Sequence, residues 1–290
     1  MAEQMQSIQR RMKSIHSTER ITNAMKLVSA AKLRKSKMAF ESAQIYLRDL
    51  VMAIRHTFDE EEDMPNCFLT GSRELKTKCL VVITSSNGLC GSFNSNVIKA
   101  TEEELKRSGI ERDHVKMATI GSKGKDYFVH RGVEIMLEHN APADTVTFEE
   151  SKDISGPLID AYLKGEIDEI NIVYTAYINP LRQEVRVKKL LPIDILETEE
   201  PVKYKHVVSY EPSAEEVFRY MVPKYIELVI FGACIESATC EYAARRTAME
   251  SANDNAKEML EDLQLAFNHA RQAAITNEII EIVAGSEANQ

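Results

Sequence analysis

Glycine and proline are confined to the middle of this 290-residue chain. All eight prolines and nine of the eleven glycines lie between residues 65 and 223. Both residue types destabilise the interior of a helix and favour turns. Residues 1–64 contain neither of them, and residues 233–284 contain neither. The distribution predicts a long helix at each end of the chain and a mixed segment between them.

The amino-terminal segment has the periodicity of a helix. Its apolar residues recur mostly at three- and four-residue steps, with small residues between them that permit close helix packing. These apolar residues are Ile8, Met12, Ile15, Met25, Val28, Leu33, Phe40, Leu47, Leu50 and Ile54. A helix from near Glu3 to near Thr57 is roughly 80 Å long at about 1.5 Å per residue, so it needs an elongated partner.

The carboxyl-terminal segment is the expected partner. Ser213 and Glu216 form a capping-box start, and a stripe at helical spacing follows as far as about Val283. The stripe comprises Ala244, Ala248, Ser251, Asn255, Met259, Leu263, Ala266 and Ala270. Residues 1–40 carry a net charge of +7 and residues 241–290 one of −5, and this opposition favours pairing. Recurring asparagines predict faces that are left for other proteins.

Between the two helices, strand and helix patterns alternate. The predicted strands are Lys78–Thr84, Val115–Ile120, Val133–Leu137 and Glu169–Ala176, with edge strands at Gln183–Leu190 and Tyr204–Ser209. The predicted helices are Asn94–Lys106, a segment ending at His130, and Ile154–Lys164. Such alternation predicts a parallel sheet covered by helices. We therefore expect a Rossmann-like α/β domain at 65–212 between a helix at 1–64 and a helix at 213–290.

Composition argues against several classes of protein. The net charge of −9 and pI near 5.4 do not suit a dedicated nucleic-acid binder, since phosphates favour basic surfaces. The longest apolar run, Leu228–Ile235, is far shorter than the roughly 20 residues of a membrane-spanning helix. The start of the chain lacks a secretory pattern and the five cysteines are odd in number. These features predict a soluble protein with reduced thiols in a cytoplasm-like compartment.

The sequence does not display a catalytic, cofactor or metal site. The glycine turn at Gly88–Gly91 has neither of the glycine spacings that bind nucleotide phosphates. Cys90 has no histidine nearby in sequence, and the seven histidines are scattered without metal-ligand spacing. Cys234 and Cys240 would sit about 240° apart around a helix, so a disulfide between them is not expected. Two functional hypotheses stay open at this point. The middle domain could be an enzyme, or the chain could be a scaffold that binds nucleic acid through its basic amino-terminal helix.

Three segments resemble one known family. They are Ile21–Lys35 (ITNAMKLVSAAKLRK), Gly88–Asn94 (GLCGSFN) and the block from Glu241 to Gly285. The sequence resembles the γ subunit of F-type ATP synthase. The resemblance implies an antiparallel coiled coil that forms a shaft inside a hexamer of α and β subunits, with the middle domain outside near the membrane. Proton flow through the c-ring would turn the shaft, and the chain itself would be non-catalytic and would hold no cofactor or metal.

The resemblance also implies contact residues. Those facing the α/β hexamer are Met25, Lys26, Arg271, Gln272, Thr276 and Glu278, and the central-domain loop near the hexamer comprises Gly88, Leu89, Cys90 and Gly91. Tyr210 and Glu211 match the region near the c-ring and the ε subunit. The sequence departs from the family at Ser86, Asn87, Ser92 and His269. The implied complex holds one copy of the chain on the cytoplasmic side of a bacterial membrane, which the chain meets only through the complex, and binds no nucleic acid.

Overall fold

A computed structural model of the chain describes residues 2–60, 68, 75–193, 211 and 213–287. In chain order the elements are α1 (Ala2–Glu60), β1 (Lys78–Ile83), α2 (Phe93–Ser108), β2 (Val115–Ile120), α3 (Ser122–Val129), β3 (Glu134–His139), α4 (Phe148–Leu163), β4 (Glu169–Tyr177), β5 (Gln183–Leu191) and α5 (Ala214–Glu287). The predicted strand at Tyr204–Ser209 lies outside the described residues.

The two long helices are confirmed. α1 extends slightly beyond both predicted ends, whereas α5 begins directly after the predicted cap Ser213 and runs a few residues past Val283. At the start of α5, the Ser213 hydroxyl accepts a hydrogen bond from the backbone N–H of Glu216 at 3.2 Å, as an N-cap residue does. Pro223 and Gly232 lie inside this helix. None of the helices in the described ranges is both long enough and apolar enough to cross a membrane.

The central sheet has the strand order β3-β2-β1-β4-β5. The first four strands in this order run parallel, which confirms the predicted parallel sheet. β5 pairs with β4 in the antiparallel direction and forms one edge. A tight turn from Asn179 to Arg182 joins these two strands, and such a short connection permits only antiparallel pairing.

Both faces of the sheet are buried, because alternate residues of β1 point to opposite sides. Cys79, Val81 and Ile83 belong to a core that includes residues of α1, α4 and α5. Leu80 and Val82 belong to a second core formed with α2 and α3. A strand buried on both faces reads as a continuous apolar run, which is why the sequence KCLVVI identified β1.

The chain forms two compact units. The helical-pair unit comprises Met1–Ala30 and Arg245–Gln290, and the central unit comprises Ala31–Ala244. Each unit therefore contains part of α1 and part of α5. The expected domains at 1–64, 65–212 and 213–290 follow the elements along the chain instead, and that division stays a prediction.

The helical-pair unit is antiparallel. Lys26 Nζ lies 3.9 Å from Glu250 Oε1. Earlier in α1, the backbone carbonyl of Glu19 accepts a hydrogen bond from Asn253 Nδ2 at 2.9 Å. Residue numbers thus rise along α1 as they fall along α5, which is the direction expected of the predicted coiled coil.

Candidate functional site

In the central-domain loop at Gly88–Gly91, one side chain points into solvent and the next is buried. Leu89 has a positive φ of 62° and is followed by Gly91 with a φ of 59°. This backbone turns the Leu89 side chain out, and it is 65% exposed, whereas Cys90 is 2% exposed. The Cys90 thiol sulfur accepts a hydrogen bond from Asn94 Nδ2 at 3.2 Å. Leu89 is therefore available to a partner, and Cys90 fixes the loop.

Beneath this loop lies a small buried cluster in the central unit. Cys90 and Phe93 pack with Cys240 of α5, and Tyr177 and Ala244 border them. The Cys240 thiol donates to the carbonyl of Thr175 in β4 at 3.4 Å. The loop is thus packed against α5, which agrees with a structural or interface role for Cys90.

The carboxyl end of β1 is the place where an α/β fold of this order would bind a nucleotide, since the strand order reverses there. In this chain Thr84, which follows β1, packs against the start of α3, the helix after β2. Its hydroxyl accepts the backbone N–H of Gly124 at 2.9 Å, and the N–H of Lys123 donates to the Ser85 carbonyl at 3.2 Å. A Cβ atom on Gly121 would lie 2.1 Å from the Thr84 carbonyl oxygen. The amides that begin α3 are therefore used in packing against β1.

The two residues that depart from the family before the glycine turn join neighbouring loops. The Ser86 hydroxyl donates to the carbonyl of Asn140 at 3.1 Å, and the Ser122 hydroxyl donates to the carbonyl of Ser86 at 3.0 Å. The carbonyl of Asn87 accepts from the Ser85 hydroxyl at 2.6 Å. Neutral hydrogen bonds thus fix this edge of the sheet.

Met25 and Lys26 are half-buried in the helical-pair unit. Lys26 pairs with Glu250, and the two side chains are 25% and 48% exposed. An ion pair this open to solvent contributes about 1 kcal/mol or less. Met25 and Lys26 are therefore open enough to contact a partner subunit, and Lys26 can do so while it pairs with α5.

Arg271, Gln272, Thr276 and Glu278 are all exposed on α5. The Thr276 hydroxyl donates to the Gln272 carbonyl at 2.9 Å, and Arg271 and Glu278, seven residues apart, share nearly one helix face. Glu250, the partner of Lys26, precedes Arg271 by 21 residues, or about 30 Å of helix. The structure therefore places the two groups of predicted contacts at separate levels of the helical-pair unit.

For the remaining predicted pair, Glu211 is exposed and Tyr210 lies outside the described residues.

Sequence reasoning missed two contacts between the long helices. Asn253, which is 1% exposed, donates from Nδ2 into the α1 backbone in the helical-pair unit. In the central unit Lys32 donates to the Tyr242 hydroxyl at 2.9 Å and lies 3.3 Å from Asp144 Oδ2. Lys32 is still about half exposed, so these contacts leave one side of its ammonium group open to solvent. The sequence around Lys32 gives no signal for them, because Asp144 and Tyr242 are distant in sequence.

The cysteines in the described part of the chain are free and buried. Burial raises the pKa of the Cys79 and Cys234 thiols to about 12. Burial also raises the pKa of Cys240, and the Glu236 carboxylate adds to the shift. Among the described residues, no group of three or more His, Cys, Asp or Glu side chains is arranged to hold a metal ion.

Known proteins match the chain over its whole length. The family model described as ATP synthase matches residues 4–288. The ATP synthase gamma chain of Alkaliphilus metalliredigens is 40% identical over 288 residues, which cover 98% of each chain. The gamma chain of Acetobacterium woodii, named as sodium ion specific, is 37% identical over 305 aligned residues and 99% of each chain.

A solved structure shares the fold. A chain in the Euglena gracilis mitochondrial ATP synthase, from the cryo-EM structure of OSCP, F1 and c-ring in rotational state 3, gives a TM-score of 0.70. The identity is 17%, and the match covers 99% of this chain and 95% of that one. Since the family model and its gamma-chain relatives span almost all of the sequence, the chain belongs to the family of ATP synthase gamma chains.

Proposed function

We propose that this chain is the rotor of the central stalk in an F-type ATP synthase and makes or breaks no chemical bond itself. The observation that carries the proposal is the end-to-end match to gamma chains. Ion flow turns the c-ring, the c-ring turns the central unit, and the helical-pair unit turns within the α/β hexamer. Because the shaft is asymmetric, each β subunit passes in turn through states of different nucleotide affinity.

The surface of the helical-pair unit supports a role among several partners. Large apolar side chains on both of its helices are more than half exposed, and a monomeric soluble protein rarely exposes so much apolar surface in one region. They include Ile21, Leu27, Val28, Leu265, Ile279, Ile280 and Ile282. These side chains would contact the inner wall of the hexamer.

Each group of predicted contacts has a proposed role. Met25 and Lys26 face the acidic lever segment of the β subunits. Arg271, Gln272, Thr276 and Glu278 form the second contact with β, and their exposure leaves them free for it. In the central-domain loop, Leu89 supplies the contact with the lower rim of the hexamer, while Gly88, Cys90 and Gly91 shape the turn.

The remaining partners are the ε subunit and the c-ring, met by the region of Tyr210 and Glu211. We propose one copy of the chain per complex, held at the cytoplasmic side of a bacterial membrane through the complex alone. The proposed driving ion is the proton, although the Acetobacterium relative is named as sodium ion specific.

Co-purification tests the proposal. The tagged chain, isolated gently from its own cells, should bring down α and β subunits at one copy per hexamer, with azide-sensitive ATP hydrolysis. A solitary chain would contradict it. Two further assays on the full chain test the alternative functions. A rise in melting temperature on adding nucleotide would favour an enzyme. Salt-sensitive retention on immobilised RNA would favour a scaffold that binds nucleic acid.

Arg271 provides a residue-level test of the contact with β. Among the described residues it makes no ion pair, so its guanidinium is free for charge-assisted hydrogen bonds worth about 1.5–3 kcal/mol each. We expect Arg271→Ala to lower ATP hydrolysis or the yield of assembled complex. Lys257→Ala removes another exposed cation of α5 and is the matched control. Equal activity and yield in both variants would count against the assignment.

A further inference from the structure

The central unit contains a cavity of about 170 Å³ that the rotor function does not use. Its walls come from α1, α5, β4 and β5, all within the central unit. A water molecule takes up about 30 Å³ in the liquid, so the cavity holds the volume of roughly five to six waters. A small molecule with a few carbon atoms fits this volume.

Two cations of β5 line one side of the cavity. Arg186 and Lys188 are two residues apart, so their side chains point to the same face of the strand. Neither has an acidic partner within 4.0 Å among the described residues. Lys188 instead lies over the ring of Tyr225, 5.5 Å from its centroid. Arg186 also hydrogen-bonds the Tyr174 side chain, and Glu236 is the acidic group near both cations. Two cations against one carboxyl leave an excess of positive charge at a concave surface, which favours an anionic ligand.

The polar groups beside these cations do not neutralise them fully. Glu236 of α5 also lines the cavity, but its Oε1 accepts the backbone N–H of Tyr177 at 2.9 Å. Burial raises the pKa of the Glu236 carboxyl, so its charged form is disfavoured relative to an exposed glutamate. The Tyr174 side chain is 9% exposed and lines the same space. Its oxygen accepts a hydrogen bond from the Arg186 guanidinium, and its O–H can donate a second hydrogen bond.

The opposite side of the cavity is apolar and includes a glycine. Phe40 and Leu47 of α1 and Val229 of α5 are its larger apolar residues, and Gln44 of α1 also lines the cavity. Gly232 lies inside α5, where glycine destabilises a helix relative to alanine. A Cβ atom at Gly232 would meet no heavy atom within 4 Å, so close packing does not require this glycine. Its effect is to leave the wall open.

We infer that this cavity binds a small organic carboxylate with a short apolar body. Arg186 and Lys188 hold the carboxylate, the Tyr174 hydroxyl donates a hydrogen bond to it, and the apolar body packs against the α1 and α5 wall. The inference goes beyond the proposed rotor function and does not depend on it. A compact anion such as phosphate would satisfy the cations but not the apolar wall.

Isothermal titration of the full chain with three probes tests the chemistry. Hexanoate has both the carboxylate and the apolar body, hexanamide lacks the charge, and inorganic phosphate lacks the apolar body. We expect measurable binding of hexanoate and binding at least about tenfold weaker for the other two. No hexanoate binding, or equal binding of hexanamide, would overturn the inference. Phosphate binding as tight as that of hexanoate would overturn the part that concerns the apolar body.

Four variants locate the binding. The double variant Arg186→Gln/Lys188→Gln should weaken hexanoate binding about tenfold or more, whereas Arg182→Gln, which removes an exposed cation of the same hairpin, should not. Gly232→Leu should fill the cavity and abolish binding, whereas Gly232→Ala should retain binding. Helical circular dichroism confirms that each variant folds. Binding that is unchanged in the double variant and in Gly232→Leu would place the ligand elsewhere and overturn the inference.

Discussion

Thr84 shows, at the scale of a residue, how this chain uses a glycine turn for packing. Its backbone and hydroxyl meet Gly121 and Gly124, which begin the segment after β2. In a nucleotide-binding protein, glycines at such a turn let phosphate approach the backbone. Here they let β1 approach α3. The glycine spacing at Gly88–Gly91 argued against phosphate binding after β1. The sequence could not show that Gly121 and Gly124, after the next strand, serve this packing.

Gly121→Ala tests this packing. The new Cβ atom would lie 2.1 Å from the Thr84 carbonyl oxygen, at a residue with a φ of 88°. We expect the positive φ to cost about 1–2 kcal/mol and the overlap about 1–3 kcal/mol more. Gly132→Ala is the matched control, since Gly132 has a φ of 73° but nothing within 4 Å of its Cβ position. Thermal unfolding should show a larger loss for Gly121→Ala, and equal losses would refute the close contact.

The buried cysteines make a prediction about reactivity and pH. In a Cys67→Ser background, no thiol should react with a disulfide reagent at neutral pH until denaturant is added, because the thiolate is the reactive form. Cys79 and Cys234 have a pKa of about 12 when folded, against an ordinary value of 9.0. Between these values the unfolded thiols lose protons that the folded thiols keep, so stability should fall as pH rises from 9 to 12. Rapid reaction of the native protein would contradict this account.

At the scale of the element, Asn253 specifies how α1 and α5 pair. The predicted stripe of α5 includes Asn255, which is exposed, and omits Asn253. The asparagines were expected on faces left for other proteins, but Asn253 is buried against α1. Besides the Glu19 carbonyl, Asn253 Nδ2 lies 3.4 Å from the Thr22 hydroxyl. A single buried polar contact of this kind favours one register of a helix pair over its alternatives.

Asn253→Asp tests the pairing. The substitution replaces a donor with a buried carboxylate oxygen that faces the Glu19 carbonyl, so we expect a loss of about 3 kcal/mol or more in unfolding free energy. Asn255→Asp makes the same chemical change at an exposed position two residues away and should change stability by about 0.5 kcal/mol or less. Chemical denaturation of the full chain measures both. Similar losses in the two variants would show that Asn253 has no special role.

The elements also show what local sequence can predict. Periodicity and helix breakers located both long helices and the buried strands, because those signals are local. The predicted start of α4 at Ile154 was too late: the helix begins at Phe148, after a capping box formed by Thr147 and Glu150. The capping-box pattern of Thr147 and Glu150 is visible in the sequence and marks the earlier start. Contacts such as Lys78 Nζ to Glu104 Oε1, at 2.6 Å inside the core, join residues 26 positions apart, and a local pattern cannot reveal them.

At the scale of the molecule, both long helices run through two compact units. The helical-pair unit exposes apolar and charged side chains, whereas the central unit buries its sheet on both faces. This division of properties suits a part that works among several partners and a part that receives torque. The proposed contact residues rest on the family resemblance, because one chain does not show its neighbours.

Rotation of this chain inside its complex is the most direct test of the rotor function. Lys99 is 78% exposed on α2, so Lys99→Cys, with Cys67 replaced by serine, provides a site for attaching a bead. With the hexamer fixed to a surface, ATP should drive the bead in one direction, and withholding ATP should stop it. A complex that hydrolyses ATP while the bead stays still would contradict the rotor function.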